Sequence, residues 1–79
     1  MEMRQVKPGG VYRHFKGRMY QVVDVALHSE TLEAFVVYRQ LYGEGKLWIR
    51  PLHMFLEPVD RVKYPDCQQE YRFQLVENE

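Results

Sequence analysis

Apolar and polar residues alternate with a period of two over most of the chain, and no window holds a 3.6-residue apolar period. The pattern predicts short strands separated by tight turns. Pro8-Gly9-Gly10 breaks the chain, so residues 1–9 read as a flexible N-terminal arm and 10–76 as the core of a single domain. Val11 to Phe15 begins a strand, and Lys16-Gly17 supplies a hairpin bend. Arg18 to Leu27 (RMYQVVDVAL) is a second strand rich in β-branched residues. Its odd positions, Met19, Gln21, Val23, Val25 and Leu27, are more apolar than Tyr20, Val22, Asp24 and Ala26, so the odd face is expected to meet the core.

His28 to Glu33 (HSETLE) is polar and breaks the alternation; Ser29 or Thr31 is placed to cap the amides that follow. Ala34 to Tyr42 is the third strand, Gly43-Glu44-Gly45 a turn, and Lys46 to Arg50 a short fourth strand ended by Pro51. Leu52-His53-Met54-Phe55 suits one 3₁₀ turn. Leu56 to Val59 extends as a possible fifth strand, 60–69 is a loop, and Tyr71 to Val76 closes the sheet. Five or six short antiparallel strands with one 3₁₀ turn give a mostly β fold, a small SH3-like barrel. An OB-like barrel is the alternative; it normally carries a longer helix between strands. The expected core is Val11, Phe15, Met19, Val23, Val25, Phe35, Val37, Leu41, Ile49, Phe55 and Phe73.

Several blocks, in order, resemble the bacterial family called domain of unknown function 1653: VYRHFKG (11–17), HSETLE (28–33), VVYRQLYG (36–43), LWIRPLHMF (47–55) and YRF (71–73). The resemblance spans roughly residues 10–75. It implies a compact, mostly β domain like an SH3-like barrel, and it transfers no catalytic or cofactor residue. KYPDCQQ (63–69) lies outside the matching blocks, so a site there would be private to this chain.

Charge narrows the field. Eleven Lys and Arg balance eleven Asp and Glu, which argues against a dedicated non-specific DNA binder but leaves room for a local basic patch. The single cysteine, Cys67, forms no internal disulfide, and a lone thiol beside Asp66 reads as an incidental loop residue. The opening MEMRQVKPGG has no apolar core for a signal peptide, and the longest apolar run, about five residues from Ala34 to Tyr38, is far short of the roughly 20 of a membrane helix. A cytoplasmic protein with no membrane contact is expected.

Candidate chemistry is sparse. His14, His28, His53 and Cys67 stand 14, 25 and 14 residues apart, which matches no zinc pattern, so neither a metal nor a cofactor is expected. His28-Ser29-Glu30 holds the residue types of a hydrolase, but consecutive residues do not align as a triad, and catalysis is the least favoured of three readings. The aromatic residues say more. Tyr12, Tyr20, Tyr38, Tyr42 and Trp48, with His14, Lys16 and Arg50, fall on the face opposite the expected core. Either a second layer covers that face or it is an exposed binding surface. The second reading predicts a binding module, with partner contacts at His28, Ser29, Glu30, Thr31, Tyr38, Tyr42, Trp48 and Arg50. A protein or peptide partner is expected. Nucleic acid or a nucleotide on the same face, with Lys16, Arg39 and Arg50, is the alternative. The sequence leaves the oligomeric state open.

Overall fold

A computed structural model describes residues 5–76. Five strands form one antiparallel sheet: β1 (Val11–His14), β2 (Met19–Leu27), β3 (Ala34–Gln40), β4 (Leu47–Pro51) and β5 (Phe73–Val76). Their spatial order is β4-β3-β2-β1-β5, so the sheet is open, with an architecture compatible with an SH3-like barrel. One helical turn, α1 (Leu52–Phe55), follows β4 directly. It is an α turn and not the expected 3₁₀ turn: the Leu56 N–H reaches back to the Leu52 carbonyl at 3.1 Å. The expected strand over 56–59 is reduced to one bridge between Pro58 and Tyr71. No helix among the described residues is long and apolar enough to cross a membrane.

The core lies on the face opposite to the expected one. Tyr12, Val22, Val36, Tyr38, Phe55, Val59 and Phe73 are buried, whereas Val23, Leu41 and Ile49 are exposed. Val11, Phe15, Met19, Val25, Phe35 and Val37 are half-buried, so only Phe55 and Phe73 of the expected core reach full burial. The cause is local. A β-bulge at Val23 shifts the β2–β3 register from Val22↔Tyr38 to Val25↔Val36. An extra residue in one strand reverses which parity faces inward. Tyr20, Val22 and Val25 therefore share the inner face, and no single parity describes β2.

The core is built from rings. Phe55 stacks on Phe73 at 4.1 Å and meets Tyr12 and Tyr38 edge-on at 5.4 and 5.5 Å. Tyrosines serve here because each hydroxyl finds a partner at the rim. The Tyr12 hydroxyl accepts from the Lys7 N–H at 2.9 Å, and the Tyr20 and Tyr42 hydroxyls bond each other at 2.7 Å. Burial and that bond push the Tyr20 phenol up to about 12.

The arm is docked where it is described. The Gly9 N–H bonds the Val22 carbonyl at 2.8 Å, and Val6 packs against the core. A Cβ at Gly10 would stand 3.0 Å from Leu75 and from the Lys7 carbonyl, so this crossing requires glycine. Residues 1–4 of the expected flexible arm lie outside the described residues.

A basic, ring-lined cleft as the candidate functional site

The β1–β2 turn and the long 60–72 segment face each other at one end of the sheet. The turn is tight because Gly17 takes a φ of 105° and its N–H bonds the His14 carbonyl at 2.7 Å. The long segment holds its own shape. Asp60 accepts from the Val62 and Lys63 amides at 3.0 and 3.2 Å. Arg61 bonds the carbonyls of Cys67 and Gln69. The Gln69 side-chain amide donates to the Tyr71 carbonyl at 2.8 Å and to the Arg13 carbonyl at 2.9 Å, tying the segment to β1. Glu57 holds Arg72 at 2.5 Å.

Between them runs a two-part cleft. The larger groove, about 760 Å³, is lined by Arg13, Phe15, Lys16, residues 63–69 and Gln74. The smaller pocket, about 320 Å³, is lined by His14, Phe15, Lys16, Arg50, Val59, Asp60, Lys63, Tyr64 and Arg72. Phe15, Lys16, Lys63 and Tyr64 belong to both and form the ridge between them. On that ridge Phe15 and Tyr64 meet edge-to-face at 4.8 Å. The Lys16 and Lys63 ammonium groups lie 5.7 and 5.8 Å from the Tyr64 ring centre.

The cleft is electropositive although the chain is neutral. Arg13, Lys16, Arg50, Lys63 and Arg72, five of the eleven cations, line it, against Asp60 and Asp66 of the eleven acids. Asp60 already serves two amides. His14 registers the field from inside. Burial, then Arg72, Arg50 and Lys16, push its imidazole down from 6.5 to about 4. Its Nδ1 accepts from the Lys16 N–H at 3.1 Å, which assigns the proton of the neutral ring to Nε2. Phe15 stacks on the imidazole at 4.6 Å and Phe73 meets it edge-on at 4.9 Å. Burial is the larger cause, and the three cations that add to it also attract an anion.

The residues singled out in the sequence divide into two groups. Tyr38, Trp48 and Arg50 share the inner face, since Tyr38 pairs with Trp48 and Val36 with Arg50. Tyr38 is buried; its hydroxyl accepts from Arg50 Nε at 3.4 Å. Arg50 lies 5.7 Å from the Phe73 ring centre and enters the small pocket. Trp48 is half-exposed; its indole N–H donates to the buried Gln40 at 2.6 Å, and the Gln40 amide donates to the Tyr42 carbonyl at 3.2 Å. His28, Ser29, Glu30 and Thr31 are all exposed on the β2–β3 turn. There His28 Nδ1 accepts from the Glu30 and Thr31 amides at 3.1 and 3.3 Å, and Thr31 caps Glu33 at 3.2 Å. This turn precedes Ala34, whereas Tyr42 follows Gln40, so the length of β3, roughly 20 Å, separates the two. They do not form one wall.

Arg13, Phe15, Lys63, Tyr64 and Arg72 enter the cleft without having been assigned to a site from the sequence. A usable signal was the repeated placing of a cation beside a ring, in His14-Phe15-Lys16, Lys63-Tyr64 and Tyr71-Arg72. Cys67 lines the groove with its Sγ donating to the Gln69 carbonyl at 3.5 Å. Among the described residues no three His, Cys, Asp or Glu side chains come together as metal ligands would.

The model of a family described as "Protein of unknown function (DUF1653)" matches residues 10–75. A crystal structure of a DUF1653 protein from Bordetella bronchiseptica is 34% identical to the chain, with a TM-score of 0.77; the match covers 99% of this chain and 96% of that one. No curated protein matches.

Proposed function

The chain belongs to the DUF1653 family, and we propose that it is a small binding module whose basic, ring-lined cleft receives an anionic partner. The observation that carries this reading is the grouping of five cations and a neutral histidine around one concave site of an otherwise neutral molecule. A half-buried cation without an ionic partner is costly unless an anion meets it, and Arg50 is half-buried. Arg72 is matched by Glu57, but no acid stands against Arg50, Lys16 or Lys63 within the 4.0 Å of an ion pair among the described residues. Planar Arg50, held between the Tyr38 hydroxyl and the Phe73 ring, is oriented to present its remaining N–H groups to an oxyanion.

Both a peptide or protein segment rich in negative charge and a nucleic-acid strand satisfy this chemistry. A partner longer than the cleft runs on past Arg50 along β4 to Trp48, which faces the same side and is 48% exposed. The test is a titration with inorganic tripolyphosphate followed by amide chemical shifts. The expected shifts centre on His14 to Lys16, Arg50, Lys63, Tyr64 and Arg72. Shifts confined to His28 to Thr31, or no saturable shifts at all, would refute the cleft as the site.

A further inference from the structure

We infer that the anionic partner of the cleft is a single-stranded polynucleotide, which crosses the Phe15–Tyr64 ridge with phosphates on both sides of it and a base laid against the rings. This inference rests on the reading of the cleft as an anion site and assigns its ligand.

The arrangement of charge is the first argument. Arg50 and Arg72 lie only in the small pocket, Arg13 only in the large groove, and Lys16 and Lys63 on the ridge shared by both. One isolated phosphoryl group needs its cations converging on a single point. Here they form a track interrupted by rings, which is the pattern of a charged backbone that carries flat groups between its charges. The rings are the second argument. An edge-to-face pair leaves one ring's faces uncovered by the other, and over Tyr64 the neighbours are the two flexible lysine ammoniums. A base displaces those ammoniums from the ring and leaves them beside its own phosphates. Lysine keeps its charge in either position, so the exchange costs little.

The wall of the large groove is the third argument. It carries Gln68, Gln69 and Gln74. Gln68 and Gln74 are exposed, and a primary amide donates and accepts, so it suits the mixed edge of any base. The carboxylate side chains of an acidic peptide use the cations but have nothing flat for the ridge and only accept from the amides. A duplex keeps its bases stacked on each other and away from Tyr64. The groove volume, 760 Å³, falls in the range of about 300–1,000 Å³ typical of ligand sites.

The test is fluorescence anisotropy with a 5′-fluorescein single strand of about eight nucleotides and mixed sequence. RNA and DNA strands run as separate arms, and binding of either supports the inference, the tighter one naming the source. Affinity should fall by about twentyfold between about 50 and 200 mM salt if roughly three phosphates are engaged. Tyr64→Ala should weaken strand binding by about tenfold, as the loss of one base–ring stack does, and should weaken tripolyphosphate binding by less than about threefold. Should Tyr64→Ala fail to fold, Tyr64→Leu keeps the apolar bulk without the π face and should show the same split. Lys63→Gln should weaken both ligands. If tripolyphosphate or a hexaglutamate peptide binds as tightly as the strands, or if the duplex binds as well as either, the inference is wrong and the anion site stands. If no probe binds, both readings fall together.

Discussion

At neutral pH the His14 imidazole is uncharged, because burial and the neighbouring Arg72, Arg50 and Lys16 hold it at about 4. An unfolded chain would bind that proton near 6.5. Between these two values the unfolded state holds more protons than the folded one, so stability rises with pH across the window and is lost as pH falls from 6.5 towards 4. Urea midpoints measured through that range should decline for the wild type and decline less for His14→Gln. Tripolyphosphate in the cleft offsets the three cations, so the histidine Hε1 titration should move upward on its addition. Trp48 makes a different kind of prediction. Its indole donates to Gln40, which is only 8% exposed. Trp48→Phe removes the donor and leaves a buried acceptor unmet, which should cost about 1–3 kcal/mol in a denaturant melt. The sequence pointed to Trp48 and Arg50 as neighbours on one face of β4, and they are. It did not show that Trp48 is tied to Gln40, since nothing in residue type marks which polar neighbour a half-exposed indole will meet.

The bulge at Val23 is the element-scale feature on which the architecture turns. Strand positions, the Lys16-Gly17 bend and the place of the helical turn were legible from alternation, glycine and proline. The buried face was not. β2 offers apolar residues on both parities, and Asp24 made the even set look outward-facing, yet the strand changes parity beside it. The strong apolar character of Ile49 misled in the same way, since it points out from edge strand β4 at 65% exposure. Parity placed Tyr12, Tyr20 and Tyr38 opposite the expected core, with a covered layer and an exposed surface both open; a ring can lie in the core with its hydroxyl at the rim. Two substitutions separate the alternatives. Phe55→Ala should cost about 3–5 kcal/mol, because Phe55 is fully buried against Phe73, Tyr12 and Tyr38. Ile49→Ala should cost less than about 1 kcal/mol. Equal losses at the two positions would return Ile49 to the core.

Across the whole molecule, zero net charge concealed a separation of charge. Glu30 and Glu33 sit on the exposed β2–β3 turn and Glu44 on the β3–β4 connection, while the cleft gathers cations from β1, β4 and the long 60–72 segment. Composition weighed against nucleic acid because it averages over the surface, and a ligand meets only one part of it. The cleft could not be assembled from sequence spacing, since His14, Arg50, and Lys63 with Arg72 come from three separate stretches that only the fold brings together. Placement, then, is the claim to test, and two charge reversals of equal size at different places test it. Lys16→Glu with Lys63→Glu reverses two cleft cations. Arg18→Glu with Arg39→Glu reverses two others, one lying 4.4 Å from the Tyr42 ring centre and one bonded to the Gly45 carbonyl. Both double variants change the total charge equally. Tripolyphosphate affinity, measured by calorimetry on both, should fall by tenfold or more for the cleft pair and by less than about twofold for the outer pair. Equal losses in the two variants would show an effect of net charge alone and would contradict a site in the cleft.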